Sequence, residues 1–88
     1  MSVYRFPPVA NTDGLTVHEQ LAKITEELQE VYAAHTAGDT EQLGIETCDV
    51  IQACETLLRL VFGDQDVERF RAEVIYKNAR RGYYEAVD

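Results

Sequence analysis

Three stretches of this 88-residue chain place apolar residues at alternating three- and four-residue steps, and each stretch is bracketed by helix start and stop signals. A strand would alternate every second residue, so this period commits the chain to helices. In the first stretch, Thr16-Val17-His18-Glu19 has the form of a capping box, and Val17, Leu21, Ile24, Leu28, Val31 and Tyr32 follow on one face as far as Gly38. In the second, Asp39-Thr40-Glu41-Gln42 offers another capping box. Leu43, Val50, Cys54, Leu57 and Val61 then form a stripe, flanked by Ile51 and Leu58 on one edge and Ala53 and Leu60 on the other, up to Phe62-Gly63. Asp64 or Asp66 is expected to cap a third helix, with Val67, Phe70, Val74 and Ile75 on its buried side and Gly82 at its end.

The expected architecture is all-α. Residues 1–15, with Pro7-Pro8 and the turn signal Asp13-Gly14, form an extended N-terminal arm. Residues 16–88 form a single domain, a three-helix antiparallel subunit with a short tail from Tyr83 to Asp88. The second helix is apolar over more than half its circumference, which one neighbouring helix does not cover. A homodimer or dimer of dimers, completing a helical bundle by oligomerisation, is therefore expected. The alternative cover is the N-terminal arm, folded back over the same surface.

Charge and composition exclude several classes. No apolar run reaches the roughly 18 residues that span a bilayer, and the start of the chain lacks the order of a secretory signal, so a cytoplasmic protein with no membrane partner is expected. A formal charge of −8 argues against a nucleic acid polymer as partner. Cys48 and Cys54, six apart in one helix, suit neither a local disulfide nor a zinc site, and are expected as reduced, packed thiols. The charge is uneven. Residues 1–68 carry 13 acids and three bases, Arg5, Lys23 and Arg59, whereas residues 69–88 carry three acids and five bases. An acidic body with a basic end suits a metal in one place and an anion beside it; an ordinary solvated surface has the same composition.

Two patterns carry chemistry. The first helix contains Glu26-Glu27-Leu28-Gln29-Glu30 and the second Glu46-Thr47-Cys48-Asp49, so in each a pair of acids three apart shares a face and repels. Glu46 falls within roughly 60° of the centre of the second helix's apolar stripe, at about 100° per residue. Glu27 stands at the margin of the first stripe, with Glu30 further round. Neighbouring helices about 8–10 Å apart allow these carboxylates to converge on one ion. An all-oxygen donor set suits magnesium or manganese rather than zinc. Solvated glutamates on an acidic helix are the bland alternative. In the third helix, Lys77, Asn78, Arg80 and Arg81 read either as partners of the helix dipole or as a phosphate grip, with Lys77 and Arg81 on one face.

Taken together, the segments from about residue 16 to residue 84 resemble the MazG-like nucleotide pyrophosphohydrolases of the all-α NTP-pyrophosphatase group. That family's Glu-Glu-x-x-Glu helix matches Glu26 to Glu30, and its Glu-x-x-Asp helix matches Glu46 to Asp49, with 15 residues between. Lys77-Asn78-Ala79-Arg80-Arg81-Gly82-Tyr83 resembles the family's basic segment. The resemblance implies magnesium-dependent hydrolysis of a (deoxy)nucleoside triphosphate to the monophosphate and pyrophosphate, typically as nucleotide-pool housecleaning. It implies Glu27, Glu30, Glu46 and Asp49 as metal ligands, with Glu27 or Glu30 as general base. Glu26 matches the motif but its helical angle turns it away. Lys77, Asn78 and Arg81 would contact the nucleotide, with Arg80 as substitute for Arg81, and a partner subunit would supply part of the pocket. His18 and His35 are expected to cap or face solvent. The competing expectations are a non-enzymatic interaction or regulatory module of the same fold, and an assembly in which the metal bridges helices without binding a substrate.

Overall fold

A computed structural model describes residues 2–85, so only part of the expected tail is covered, residues 86–88 lying outside the described region. Three helices and no strand are present among the described residues: α1 (Val17–Thr36), α2 (Thr40–Val61) and α3 (Asp64–Arg80). The all-α expectation holds. No helix of the described residues is long and apolar enough to cross a membrane.

The helix ends follow local chemistry closely. At the start of α1 both halves of the capping box are made: Glu19 N–H donates to Thr16 Oγ1 at 3.1 Å, and Thr16 N–H donates to Glu19 Oε1 at 3.1 Å. At the start of α2 only half of the expected box is made. Gln42 N–H donates to Asp39 Oδ1, but the Gln42 side chain turns into the helix and donates to Glu46 Oε1 at 2.6 Å. The Asp39 N–H that the Gln42 side chain would accept in a full box already donates to Ala34 O, in the closure of α1. α3 departs from expectation at its start. Its N-cap is Gly63, without a side-chain cap, and Asp64 and Asp66 lie inside the first turn, where their charge still favours the helix dipole.

Two glycines end helices in the same way. Gly38 (φ 73) and Gly82 (φ 74) take the left-handed conformation that L side chains resist. Gly38 N–H donates to His35 O and Asp39 N–H to Ala34 O; Gly82 N–H donates to Ala79 O and Tyr83 N–H to Asn78 O. Both are Schellman closures, which satisfy carbonyls otherwise left open at a helix end.

After the turn at Gly38, α2 lies alongside α1, and this is the most extensive helix–helix contact among the described residues. The buried set among the described residues is as polar as it is apolar: Gln20, Glu27, Glu55 and Thr56 beside Ala34, Ala53 and Val67. Gln20 Nε2 donates to Ala53 O at 2.9 Å inside the contact. α3 is attached more lightly, through buried Val67 and an edge-on pair of Phe62 and Phe70 with centroids 4.9 Å apart.

The arm folds back, as the alternative cover required. Glu55 accepts hydrogen bonds from the N–H groups of Arg5 (2.8 Å) and Phe6 (3.0 Å), while Arg59 Nη2 donates to Phe6 O at 2.9 Å. The Arg59 guanidinium also lies 3.8 Å from the centre of the Tyr4 ring. Burial pushes the Tyr4 hydroxyl above its ordinary value.

The arm nonetheless leaves large apolar faces open. Leu21, Leu28 and Tyr32 of α1, Ile45 and Ile51 of α2, and Val74 and Ile75 of α3 are exposed, and no large side chain among the described residues is fully buried. The radius of gyration is 15.4 Å, against about 12 Å for a compact chain of this length. Cys48 and Cys54 are free, but both are exposed rather than packed.

Replacing Thr16 by alanine is expected to lower stability by about 1 kcal/mol, read as an earlier urea midpoint. Its hydrogen bonds hold Glu19 below the ordinary carboxylate value. The unfolded chain therefore binds more protons in that range, and stability falls as pH drops through the lowered value. In Thr16→Ala this acid slope should flatten; an unchanged slope would contradict the role given to the box.

Candidate metal centre

Glu27 projects from the middle of α1, and Glu46 and Asp49 from the first half of α2, one turn apart. Their carboxylates offer oxygens that all lie within 4.8 Å of one another. Glu27 is buried, while Glu46 and Asp49 are half-buried. Oxygens on opposite sides of one magnesium ion are about 4.2 Å apart, twice a bond of about 2.1 Å. A small inward movement of side chains suffices to match that spacing.

Glu30 stands outside this trio but next to it. The neighbouring Glu46 carboxylate, as a hydrogen-bond partner, and then the negative charge of Glu27 push its carboxyl above the ordinary value. Three of the four sequence-predicted ligands thus come to one place, with Glu30 outside the trio. Glu26 is turned away, with its side chain 60% exposed and its carboxylate 3.9 Å from Lys23.

Two neutralising contacts were not anticipated from the sequence. Lys23 Nζ lies 2.9 Å from Glu27 Oε1, and this bond and charge hold the lysine above its ordinary value. Gln42 donates to Glu46 Oε1, as described. A signal for Lys23 did exist: it is the one base between Arg5 and Arg59, and it precedes Glu27 by four residues.

These partners leave the cluster short of donors. Glu46 Oε2 is buried and has no hydrogen-bond partner among the described residues. A buried carboxylate oxygen without a partner is costly, and a hard cation satisfies it. The donor set, carboxylates with no thiolate or imidazole among them, fits magnesium or manganese.

The basic segment is elsewhere in the single chain. A cleft beside the acidic trio is lined by residues of the arm region, α1 and α2, and by none of α3. Lys77, Arg80 and Arg81 instead border a separate shallow depression with Tyr76. Arg81 also lies over the Tyr83 ring, 4.7 Å from its centre. Asn78 gives its carbonyl to the closure of α3. His18 and His35 are exposed, outside the acidic trio. Partial burial raises the Cys54 thiol, which disfavours the reactive thiolate.

No protein-family model, no curated protein and no solved structure matches this chain. The functional reading therefore rests on residues and geometry.

Manganese or magnesium at 100 times its dissociation constant is expected to stabilise the fold by about 2.7 kcal/mol, reversed by a chelator. Glu46→Gln should weaken manganese binding by at least about tenfold. It should also raise the melting temperature of the metal-free protein, because one repelling charge is gone. A metal-free variant less stable than the wild type would count against charge repulsion in the cluster.

Proposed function

We propose that the protein is a magnesium-dependent nucleotide pyrophosphohydrolase of the MazG type, cleaving a (deoxy)nucleoside triphosphate between its α and β phosphates. The products would be the monophosphate and pyrophosphate, in keeping with nucleotide-pool housecleaning. The observation that carries the reading is the meeting of Glu27, Glu46 and Asp49 across the α1–α2 contact, with Glu30 beside them. The order and spacing of those four acids match the family's motif.

Glu27, Glu46, Asp49 and Glu30 would hold the ion. When bound, magnesium masks phosphate charge and polarises the phosphorus under attack. In the hydrolysis, a water oxygen bonds to the α phosphorus as the bond to the bridging oxygen of the β phosphate breaks. Glu30 is the better placed of the two candidate bases to take the water's proton, being exposed, whereas Glu27 is buried and engaged by Lys23. Lys23 lines the cleft beside the acids and, released from Glu27 by a cation, can turn its ammonium to a phosphate oxygen.

Lys77, Asn78 and Arg81 belong to the grip on the nucleotide in this reading. Their separation from the acidic centre in one chain supports an assembly in which a second copy brings its α3 to the cleft. The open apolar faces and the expanded radius support the same antiparallel three-helix subunit completed by oligomerisation, as a homodimer or dimer of dimers.

The separation also favours one rival, a non-enzymatic helical interaction or regulatory module of the same fold. Pyrophosphate release from a panel of (d)NTPs with magnesium decides between them. Under the enzyme reading Glu46→Ala, still folded by circular dichroism, loses about 100-fold or more in kcat/KM. No release from any nucleotide by the wild type would leave the interaction module standing.

A further inference from the structure

Lys23 is the one lysine or arginine between Arg5 and Arg59, and it stands on the acidic centre. Its Nζ lies 2.9 Å from Oε1 of buried Glu27 and 3.9 Å from Oε1 of exposed Glu26. Helix stability explains this placement poorly, because a lysine four residues before a glutamate is the weaker order of such a pair. The burial of Glu27 explains it better, since a buried carboxylate needs a counter-charge.

The two partners of the trio differ in kind. Gln42 on Glu46 is a neutral amide, which can share a carboxylate with a cation at little electrostatic cost. Lys23 on Glu27 is a charge. An ammonium and a divalent cation on one carboxylate repel, so a cation that comes alone binds against Lys23. A triphosphate that comes alone meets three carboxylates and is repelled in turn. Together they suit the site: phosphate oxygens take the ammonium, and Glu27 is left to the cation. The Lys23 side chain is 52% exposed and lines the same cleft as Glu27 and Asp49. Its flexible four-carbon stem can therefore turn from the carboxylate to an anion in that cleft without disturbing a packed group.

We propose, resting on the pyrophosphohydrolase reading, that Lys23 couples the two ligands of this site. Held on Glu27 in the metal-free protein, it opposes a divalent cation alone and is released to a phosphate oxygen when cation and triphosphate arrive together. The two then bind as one ligand, and Lys23 is the residue that makes each depend on the other.

The test measures two affinities in the wild type, Lys23→Met and Lys23→Arg: that of manganese alone, and that of a manganese complex of a non-hydrolysable α,β-imido dNTP. Methionine keeps the stem and the helix propensity at this half-exposed position, so the fold is kept. Lys23→Met should tighten manganese alone by about tenfold. The same variant should weaken the manganese–analogue complex by about tenfold. Lys23→Arg, which keeps the charge, should stay within about threefold of the wild type for both ligands. Arg69→Gln removes the same unit of charge from among the ion pairs of α3 and should shift neither affinity. The opposite signs are the signature, because a merely structural ion pair has no reason to move the two ligands in opposite directions. Manganese affinity unmoved or lowered in Lys23→Met, complex affinity unmoved, or the same pair of shifts in Arg69→Gln overturns the coupling. Both affinities moving as expected with no nucleotide hydrolysed by the wild type would sink the pyrophosphohydrolase reading and leave the coupling in place.

Discussion

Carboxylates crowded into a helix contact set the terms for the rest of this molecule. Glu27 of α1 meets Glu46 and Asp49 of α2, their carboxylate oxygens within 4.8 Å of one another. Two like charges about 4 Å apart repel by about 1 kcal/mol in water and about 4 kcal/mol at the effective dielectric near a protein surface. Lys23 on Glu27 and Gln42 on Glu46 reduce that repulsion. These are partial remedies, because a buried oxygen of Glu46 is still without a partner. A chain that accepts such a cost in the middle of its best helix contact gains something from the cluster other than stability. Cation binding, as proposed, is the gain that fits the donor set.

The cost explains where the remaining stability is found. With four of the buried positions given to polar groups, several apolar residues of both helices are left exposed, and the fold leans on its ends. Two Schellman closures and the box at Thr16 define the helices locally. Glu55 and Arg59 then hold the arm by its backbone, against the far half of α2 from the acids. Glu55 is a second buried acid, but unlike Glu46 it has two N–H donors on its oxygens. The contrast separates a structural carboxylate from a functional candidate by hydrogen bonding alone.

Much of this was legible in the sequence because it is local. The capping box at Thr16, the stops at Gly38 and Gly82 and the shared face of Glu46 and Asp49 depend on residues within one or two turns. Glu27 and Glu30 could be aligned with them because helical angle is a local property too. What the sequence left hidden is long-range. Nothing near Glu55 announces that the amides of Arg5 and Phe6, some fifty positions earlier, will meet it. The half-made box at Asp39 failed because two local motifs share one donor: the Asp39 N–H closes the end of α1 on Ala34 O and is not free for the Gln42 side chain. The start of α3 was misplaced by one residue or more because Asp64 and Asp66 suit the first turn as well as the cap.

The uncovered faces and the divided charges are one problem. A three-helix chain whose third helix is held by Val67 and a pair of phenylalanines has given up much of its private core. Residues 69–85 are basic on balance, while the acids gather on α1 and α2, so each copy displays a surface that suits the opposite surface of another. Two copies related by a two-fold axis would bury both apolar faces at once and bring basic and acidic ends together twice. In the proposed assembly the metal then has a second duty. Until it binds, the acidic centre has only Lys23 and Gln42 against its charge; once it binds, the cleft can accept an anionic substrate with basic groups on its far side. In that proposed assembly, the same feature that weakens the single chain, polar groups where its core should be, would leave an apolar exterior for a second copy and a charged interior for a cation.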